Sequence, residues 1–200
     1  MEISPDEGSF LVKTARAAVE EFVTHRARLP VPEATPDKIR EKAGVFVTLN
    51  TYQTDLLRGC IGHPYPDSPL IEALIDSAIS ACSRDPRFPP VRKEELDQIV
   101  MEVTVLTPPE IIKVRRPDEY TGMIEVGRHG ILVRKGWYQG LLLPQVATDY
   151  DWDPEEFLSQ TCRKAGLSLT AWMDDDTQVY RFEGLIFGEL KPRGQVERRA

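Results

Sequence analysis

Two hundred residues with 41% hydrophobic content suit one compact domain, or two lobes sharing a core. The 32 acidic and 25 basic residues leave a net charge of −7, which repels nucleic acid over most of the surface. The start, MEISPDEGSF, lacks the basic region and apolar run of a signal peptide, and no apolar stretch approaches the roughly 18 residues that span a bilayer, so no membrane association is expected.

Apolar residues Leu11, Ala15, Ala18 and Phe22 recur at helical spacing and predict a first helix over residues 9–28. LPVPEATP breaks it with three prolines in eight residues and reads as a surface linker. GVFVTLNT is rich in β-branched residues and predicts a strand. A turn at YQTD returns the chain into LLRGCIG, the second arm of a hairpin. Ile71, Leu74, Ile75, Ala78, Ile79 and Cys82 form one apolar stripe, which predicts a helix over 69–83. RDPRFPP ends it, a short helix near 93–97 follows, and IVMEVTVL is the next strand. MIEVG, ILVRKG and WYQGLLLP then predict a three-stranded antiparallel meander with glycine turns. In DPEEFLSQTCRKAGL, Asp153 is the N-cap, Pro154 sits at N1, Glu156 can complete a capping box and Gly166 ends the helix. QVYRFEGLIFGEL is a final strand or hairpin, and the basic residues 191–200 read as a flexible, solvated tail. Helices and strands follow no regular βαβα order, which favours an α+β class over a doubly wound parallel sheet.

The chain has three cysteines, Cys60, Cys82 and Cys162, too few and too widely spaced for a disulfide framework, so it reads as cytoplasmic with reduced thiols. Cys82 continues the apolar stripe of its helix, and Cys162 lies four residues after Leu158, so both read as buried. Cys60 is different, being flanked by Gly59 and, one residue further on, Gly62. If residues 56–60 are extended, Leu56, Arg58 and Cys60 share one face, while Leu57 and Ile61 share the other. A guanidinium beside the thiol would favour the thiolate. The plainer reading is a small buried residue in a tight turn, with Arg58 paired to a carboxylate.

His63 makes a Cys60-x-x-His63 half-site for zinc, but no second ligand doublet accompanies it, so no metal is expected. His25 fits a helix C-terminus, and His129 fits a turn, although a Cys60–His129 pair across the fold is conceivable. In SRDPRFPPV, Arg84 or Arg87 can join Arg58 in holding an anion, or the segment is an ordinary helix exit with surface charges. The run at Asp174, Asp175 and Asp176 reads as a solvated loop. The chain contains no Walker loop, GxGxxG, GxSxG or HExxH.

LRGCIG at 57–62 resembles the signature of the AMMECR domain, named from the Alport syndrome, midface hypoplasia and elliptocytosis chromosomal region. DPRFPPV, MEVTVLTPPE, VGRHGI, GLLLPQVA, WDPEEFL and CRKAGL follow in the same order, so the resemblance spans residues 10–190. It implies a single domain over 1–200, built as two intertwined lobes with mainly antiparallel sheets flanked by helices, and with the signature lining a cleft between them. By position it carries over Leu57, Arg58, Gly59, Cys60, Ile61 and Gly62, then Asp85, Arg87 and Phe88, then Pro144 and Gln145, and Cys162 and Lys164 in the late helix. The family pattern requires neither His63 nor His129, which weighs against a cysteine–histidine dyad and against zinc. The resemblance implies a prokaryotic or archaeal type of chain and leaves activity and cofactor unknown. Prokaryotic relatives tend to be encoded beside Memo-like and radical-SAM proteins, which implies pathway partners of those kinds. Two readings therefore stay open. One is an enzyme using Cys60 and Arg58 on a small anionic substrate. The other is a non-catalytic binding module for a peptide, a nucleotide or a partner protein.

Overall fold

The first helix, α1 (Pro5–His25), starts one turn earlier than its apolar stripe predicts. Ser4 and Glu7 form a capping box in which Ser4 Oγ accepts from the Glu7 N–H at 3.2 Å and Glu7 accepts from the Ser4 N–H at 2.8 Å. The S-x-x-E signature stands in SPDE, ahead of the first residue of the stripe. The computed structural model describes residues 2–199, which fall into two compact units. The first comprises residues up to Leu106 together with those from Leu185 onward, and the second runs from Thr107 to Gly184.

In the first unit, β1 (Val45–Thr51) pairs antiparallel with β2 (Leu57–His63) on one side and with β3 (Ile99–Leu106) on the other. Val45, Val47 and Leu49 of β1 and Met101, Val103 and Val105 of β3 are buried. Their period of two places Thr48 and Glu102 on the opposite face. Leu11, Val12, Ala15 and Val19 of α1 join Leu70, Leu74, Ile75 and Ala78 of α2 (Leu70–Ser83) in the same core. The hairpin and both helices match the periodicity reading. The short helix after RDPRFPP is a 3-10 turn at Lys93–Glu95.

The second unit holds the strands β4 (Glu110–Ile111), β5 (His129–Lys135) and β6 (Tyr138–Leu142), with the helices α3 (Pro144–Asp149) and α4 (Pro154–Lys164). The long strand β7 (Gln178–Glu189) pairs through its first half with β4 and β5. Phe157, Leu158 and Cys162 of α4 pack with Ile131, Val133, Val179 and Trp172. Asp153 caps α4 by accepting from the Glu156 N–H at 2.8 Å, and Gly166 beyond the helix has φ +77°.

The structure corrects the expected meander and the expected tail. MIEVG is not a strand. Pro117–Met123 is a 3-10 helix, Gly127 takes φ +87°, and the Glu125 carbonyl accepts from both the Arg128 and His129 N–H groups, so the segment turns. The meander is therefore the β5–β6 hairpin, followed by α3, a helix too short to show a periodic stripe. The basic tail is exposed, but it is tied to the fold within the described residues: β8 (Val196–Arg199) pairs with the second half of β7, and Arg193 is salt-bridged to Glu20 and Asp97.

One buried ion pair closes the first unit. Arg16 of α1 donates through Nε to Glu189 Oε1 at 2.7 Å and through Nη2 to Oε2, with both side chains at most 6% exposed. Arg16 also donates to the Leu96 and Ile99 carbonyls, and Glu189 accepts from the Met101 N–H at 3.0 Å. Removing Glu189 leaves the buried Arg16 with only the partly exposed Glu20, 3.5 Å from Nη1, as a counter-charge, so Glu189→Ala should cost about 3 kcal/mol or more in urea unfolding. Replacing both, as Arg16→Met with Glu189→Leu, should cost less than Glu189→Ala alone; a double variant weaker than the single one would show that the pair itself carries the stability.

Candidate functional site

The LRGCIG segment is β2 without its last residue. At Gly59 the strand approaches α2 so closely that an added Cβ would lie 2.3 Å from the Ala81 carbonyl oxygen. At Gly62 it would lie 2.4 Å from the Phe46 ring. The glycines thus admit a helix backbone and an aromatic ring. Ile61 packs against the core, whereas Cys60 stands half-buried on the other face, directly opposite Thr48. Thr48 Oγ1 donates to Cys60 Sγ at 3.2 Å. Thr48 also pairs across the sheet with Glu102, to which Arg199 donates at 2.9 Å. A polar row, Cys60–Thr48–Glu102–Arg199, therefore crosses the face of the sheet opposite the one that α1 and α2 pack against.

The backbone of Cys60 faces away from β1 and is bonded by side chains. Its N–H donates to Asp85 Oδ2 at 2.8 Å, and its carbonyl accepts from Arg87 Nη2 at 3.1 Å. Asp85, 4% exposed, also accepts from the Arg87 N–H at 3.1 Å and from the Arg87 guanidinium at 2.9 and 2.7 Å. Side chains of the DPRF loop thus satisfy the edge strand as a neighbouring strand would. The Arg87 guanidinium, outweighing burial and helped by the Cys60 and Arg87 N–H groups, holds the Asp85 carboxyl well below the usual carboxylate range.

Arg58 does not neighbour the thiol. Leu49 pairs with Gly59 while Asn50 pairs with Leu57, which makes Arg58 the extra residue of a β-bulge. The bulge re-aims its side chain to Glu95, which accepts from Nε at 2.8 Å and from Nη2 at 3.2 Å. Burial opposes ionisation of Glu95, but the Arg58 fork and the Arg92 N–H together keep its carboxyl below the ordinary value. Arg58 and Arg87 do converge, on Phe88: their guanidinium carbons lie 6.0 and 5.6 Å from its ring centroid. The expected anion site between two open forks is not assembled, because each fork already holds a carboxylate.

Arg58, paired to a carboxylate as in the plainer of the two sequence readings, gives the thiol no neighbouring guanidinium. Burial, the largest influence, pushes the Cys60 thiol above its ordinary value, and Asp85 and Glu102 act in the same direction. The Thr48 hydroxyl and Arg87 oppose this without reversing it. Burial pushes Cys82 and Cys162 up to about 11, and both lie in apolar cores. His63 Nδ1 is tied to Ser77 Oγ at 2.9 Å, and no cluster of three metal-ligating side chains occurs among the described residues. Leu57 is exposed at the start of β2. Pro144 and Gln145 open α3 of the second unit, with Pro144 buried and Gln145 exposed, and Lys164 is exposed at the end of α4. Thr48, Glu102 and Glu95 are the participants that sequence reasoning did not single out, although Glu102 stands in MEVTVLTPPE. A signal existed for the first two: each is a polar residue inside an apolar strand, in GVFVTLNT and IVMEVTVL.

This geometry can be tested at the clamp and at the thiol. Asp85→Asn offers one acceptor where the carboxylate offered two, turns an amide N–H2 toward existing donors, and should destabilise the chain by about 1–3 kcal/mol at pH 7. A lowered carboxyl pKa stabilises above the unfolded value of about 3.9 and loses that effect as pH falls through the folded value, so the difference between wild type and variant should shrink below about pH 4. A difference unchanged down to about pH 2 in acid unfolding would contradict the assignment. Cys60, the only half-buried cysteine of the three, should label with iodoacetamide before Cys82 and Cys162, at a rate still rising above about pH 8.5, the value of a free thiol. A plateau below that pH, mapped by peptide mass spectrometry, would mean a thiolate.

The AMMECR1 family model matches residues 12–187. A protein of Thermococcus gammatolerans is 54% identical over 200 residues, covering 98% of this chain and 97% of its own. Protein MJ0810 of Methanocaldococcus jannaschii is 51% identical over 191 residues, covering 96% and 94%. The crystal structure of PH0010, an uncharacterized protein from Pyrococcus horikoshii, is 50% identical, with a TM-score of 0.84 and coverage of 100% of this chain and 99% of that one. The α+β chain described above, with its LRGCIG strand clamped by Asp85 and Arg87, belongs to the AMMECR1 family.

Proposed function

We propose that the chain is a binding module whose site is the sheet face carrying Cys60, Thr48 and Glu102, and that its ligand presents an uncharged hydrogen-bonding group such as a peptide amide. The observation that carries this reading is the saturation of the charges around the signature. Arg58 is engaged by Glu95 and Arg87 by Asp85, so an incoming anion finds no free fork. Burial and two nearby carboxylates keep the thiol protonated. What stays half-exposed in the row is a thiol, a hydroxyl and the Glu102–Arg199 ion pair, whose donors and acceptors suit an amide.

Catalysis by Cys60 is the second reading, favoured by the Thr48 hydroxyl on the sulfur and by the Arg87 guanidinium, both of which stabilise a thiolate. The two readings diverge in ligand class as well as in the pH dependence of labelling. Titration of the isotopically labelled chain with N-acetylglycinamide should shift the backbone resonances of Thr48, Cys60 and Glu102 saturably. Acetate at equal concentration should leave them in place. Thr48→Val should weaken the amide binding by about tenfold, the equivalent of one hydrogen bond. Acetate binding there with amide indifference would overturn the proposal in favour of an anion site.

A further inference from the structure

The core face of the sheet in the second unit changes character at one end. Val133 pairs with Val179 and both are fully buried, but the next rows on the same face place Arg181 opposite Ile131 and Glu183 opposite His129. Charged residues at the end of a core face call for a partner. Residues 122–125 and Arg128 line a pocket of about 340 Å³ together with His129, Arg181 and Glu183.

The two carboxylates in this pocket share one guanidinium. Arg128 Nε donates to Glu183 Oε1 at 3.0 Å, and Nη1 donates to Glu125 Oε2 at 3.2 Å. Arg181 is left over. Its Nη1 donates to the Met123 carbonyl at 3.0 Å, and among the described residues no carboxylate is salt-bridged to it. His129 is 7% exposed, and its Nδ1 accepts from the Glu125 N–H at 2.9 Å, so the neutral ring carries its proton on Nε2. Burial first, then Arg181 and Arg128, lower the His129 pKa and keep the ring in that neutral form against Glu183 and Glu125. Nε2 lies 3.8 Å from Glu183 Oε1, beyond hydrogen-bond distance. Two donor groups, the remaining edge of Arg181 and His129 Nε2–H, thus line one pocket without protein acceptors.

We propose that this pocket is a binding site for a small monocarboxylic acid. Its carboxylate accepts from Arg181 and from His129 Nε2–H, and its aliphatic part lies on Met123 and Ile124. A guanidinium fork and one imidazole N–H match a planar, singly charged oxyanion. The nearby Glu183 disfavours a doubly charged one. The volume exceeds that of a carboxylate alone, and the apolar side chains supply the remaining contact.

The full chain has three histidines, so their imidazole NMR signals resolve the question, with His129→Gln identifying the relevant one. Butyrate should shift the His129 signal saturably and leave His25 and His63 unmoved, and should bind several-fold more tightly than acetate. Arg181→Gln should weaken butyrate binding about tenfold or more. Arg181→Lys, which keeps the charge but loses the fork, should weaken it less and secures the test if the glutamine variant does not fold. Arg134→Gln, on β5 outside the pocket, should change nothing. The proposal is overturned by the absence of a saturable His129 shift, by butyrate affinity indifferent to both Arg181 variants, or by inorganic phosphate binding more tightly than butyrate.

Discussion

The buried pair between Arg16 and Glu189 holds together a unit whose pieces are far apart in sequence. Residues up to Leu106 and those from Leu185 onward must meet for that unit to exist. Arg16 comes from α1 and Glu189 from the end of β7, and between them they bond the backbone at Leu96, Ile99 and Met101. Such a pair contributes little net free energy, because desolvation offsets most of the Coulomb attraction. Its effect is on specificity. These donors and acceptors are satisfied only when α1, the entry to β3 and the end of β7 are in place together, and any other arrangement strands a charge in the core.

With β3 positioned in this way, the site follows from the sheet. β1 lies between β3 and β2, so the alternation that buries Val47 and Met101 also aligns Glu102, Thr48 and Cys60 in one row. Among the described residues no strand pairs with the outer edge of β2 at Cys60, and Asp85 with Arg87 supplies the missing acceptor and donor. That arrangement has an electrostatic consequence. Arg87 spends its fork on Asp85, and the bulge sends Arg58 to Glu95, so the guanidinium within LRGCIG and the one in the DPRF loop act as structural braces around Phe88. Burial first, with Asp85 and Glu102, favours the proton on the thiol over the opposing pull of the Thr48 hydroxyl and Arg87.

The second unit uses its polar groups in the opposite way. Its apolar core of Phe157, Leu158, Trp172, Val133 and Val179 needs no ionic ties. The charges gather where the core face runs out, and there one arginine serves two glutamates while another keeps part of its fork free. Arg58 and Arg87 of the first unit each hold a carboxylate, whereas Arg181 of the second holds a carbonyl, although the bare residue types are the same.

Much of the fold was legible from local chemistry. The apolar stripe of α2, the β-branched hairpin, the Asp153 cap and the Gly166 stop depend on neighbours within a turn or a strand, so periodicity and capping rules were enough to find them. The burial of Cys82 and Cys162 follows from the same stripes. The family, too, could be read from the run of motifs, because a motif is itself a sequence pattern. The tertiary structure alone decided the rest. A one-residue bulge turned Arg58 away from Cys60, and strand alternation by itself cannot reveal a bulge, since the register depends on the partner strand. Asp85 and Glu95 are 25 and 37 residues from the groups they bind on β2, a separation that no local rule spans. The raised pKa of the Cys60 thiol stems first from burial, and desolvation is a property of the packed molecule rather than of the residues beside it in the chain.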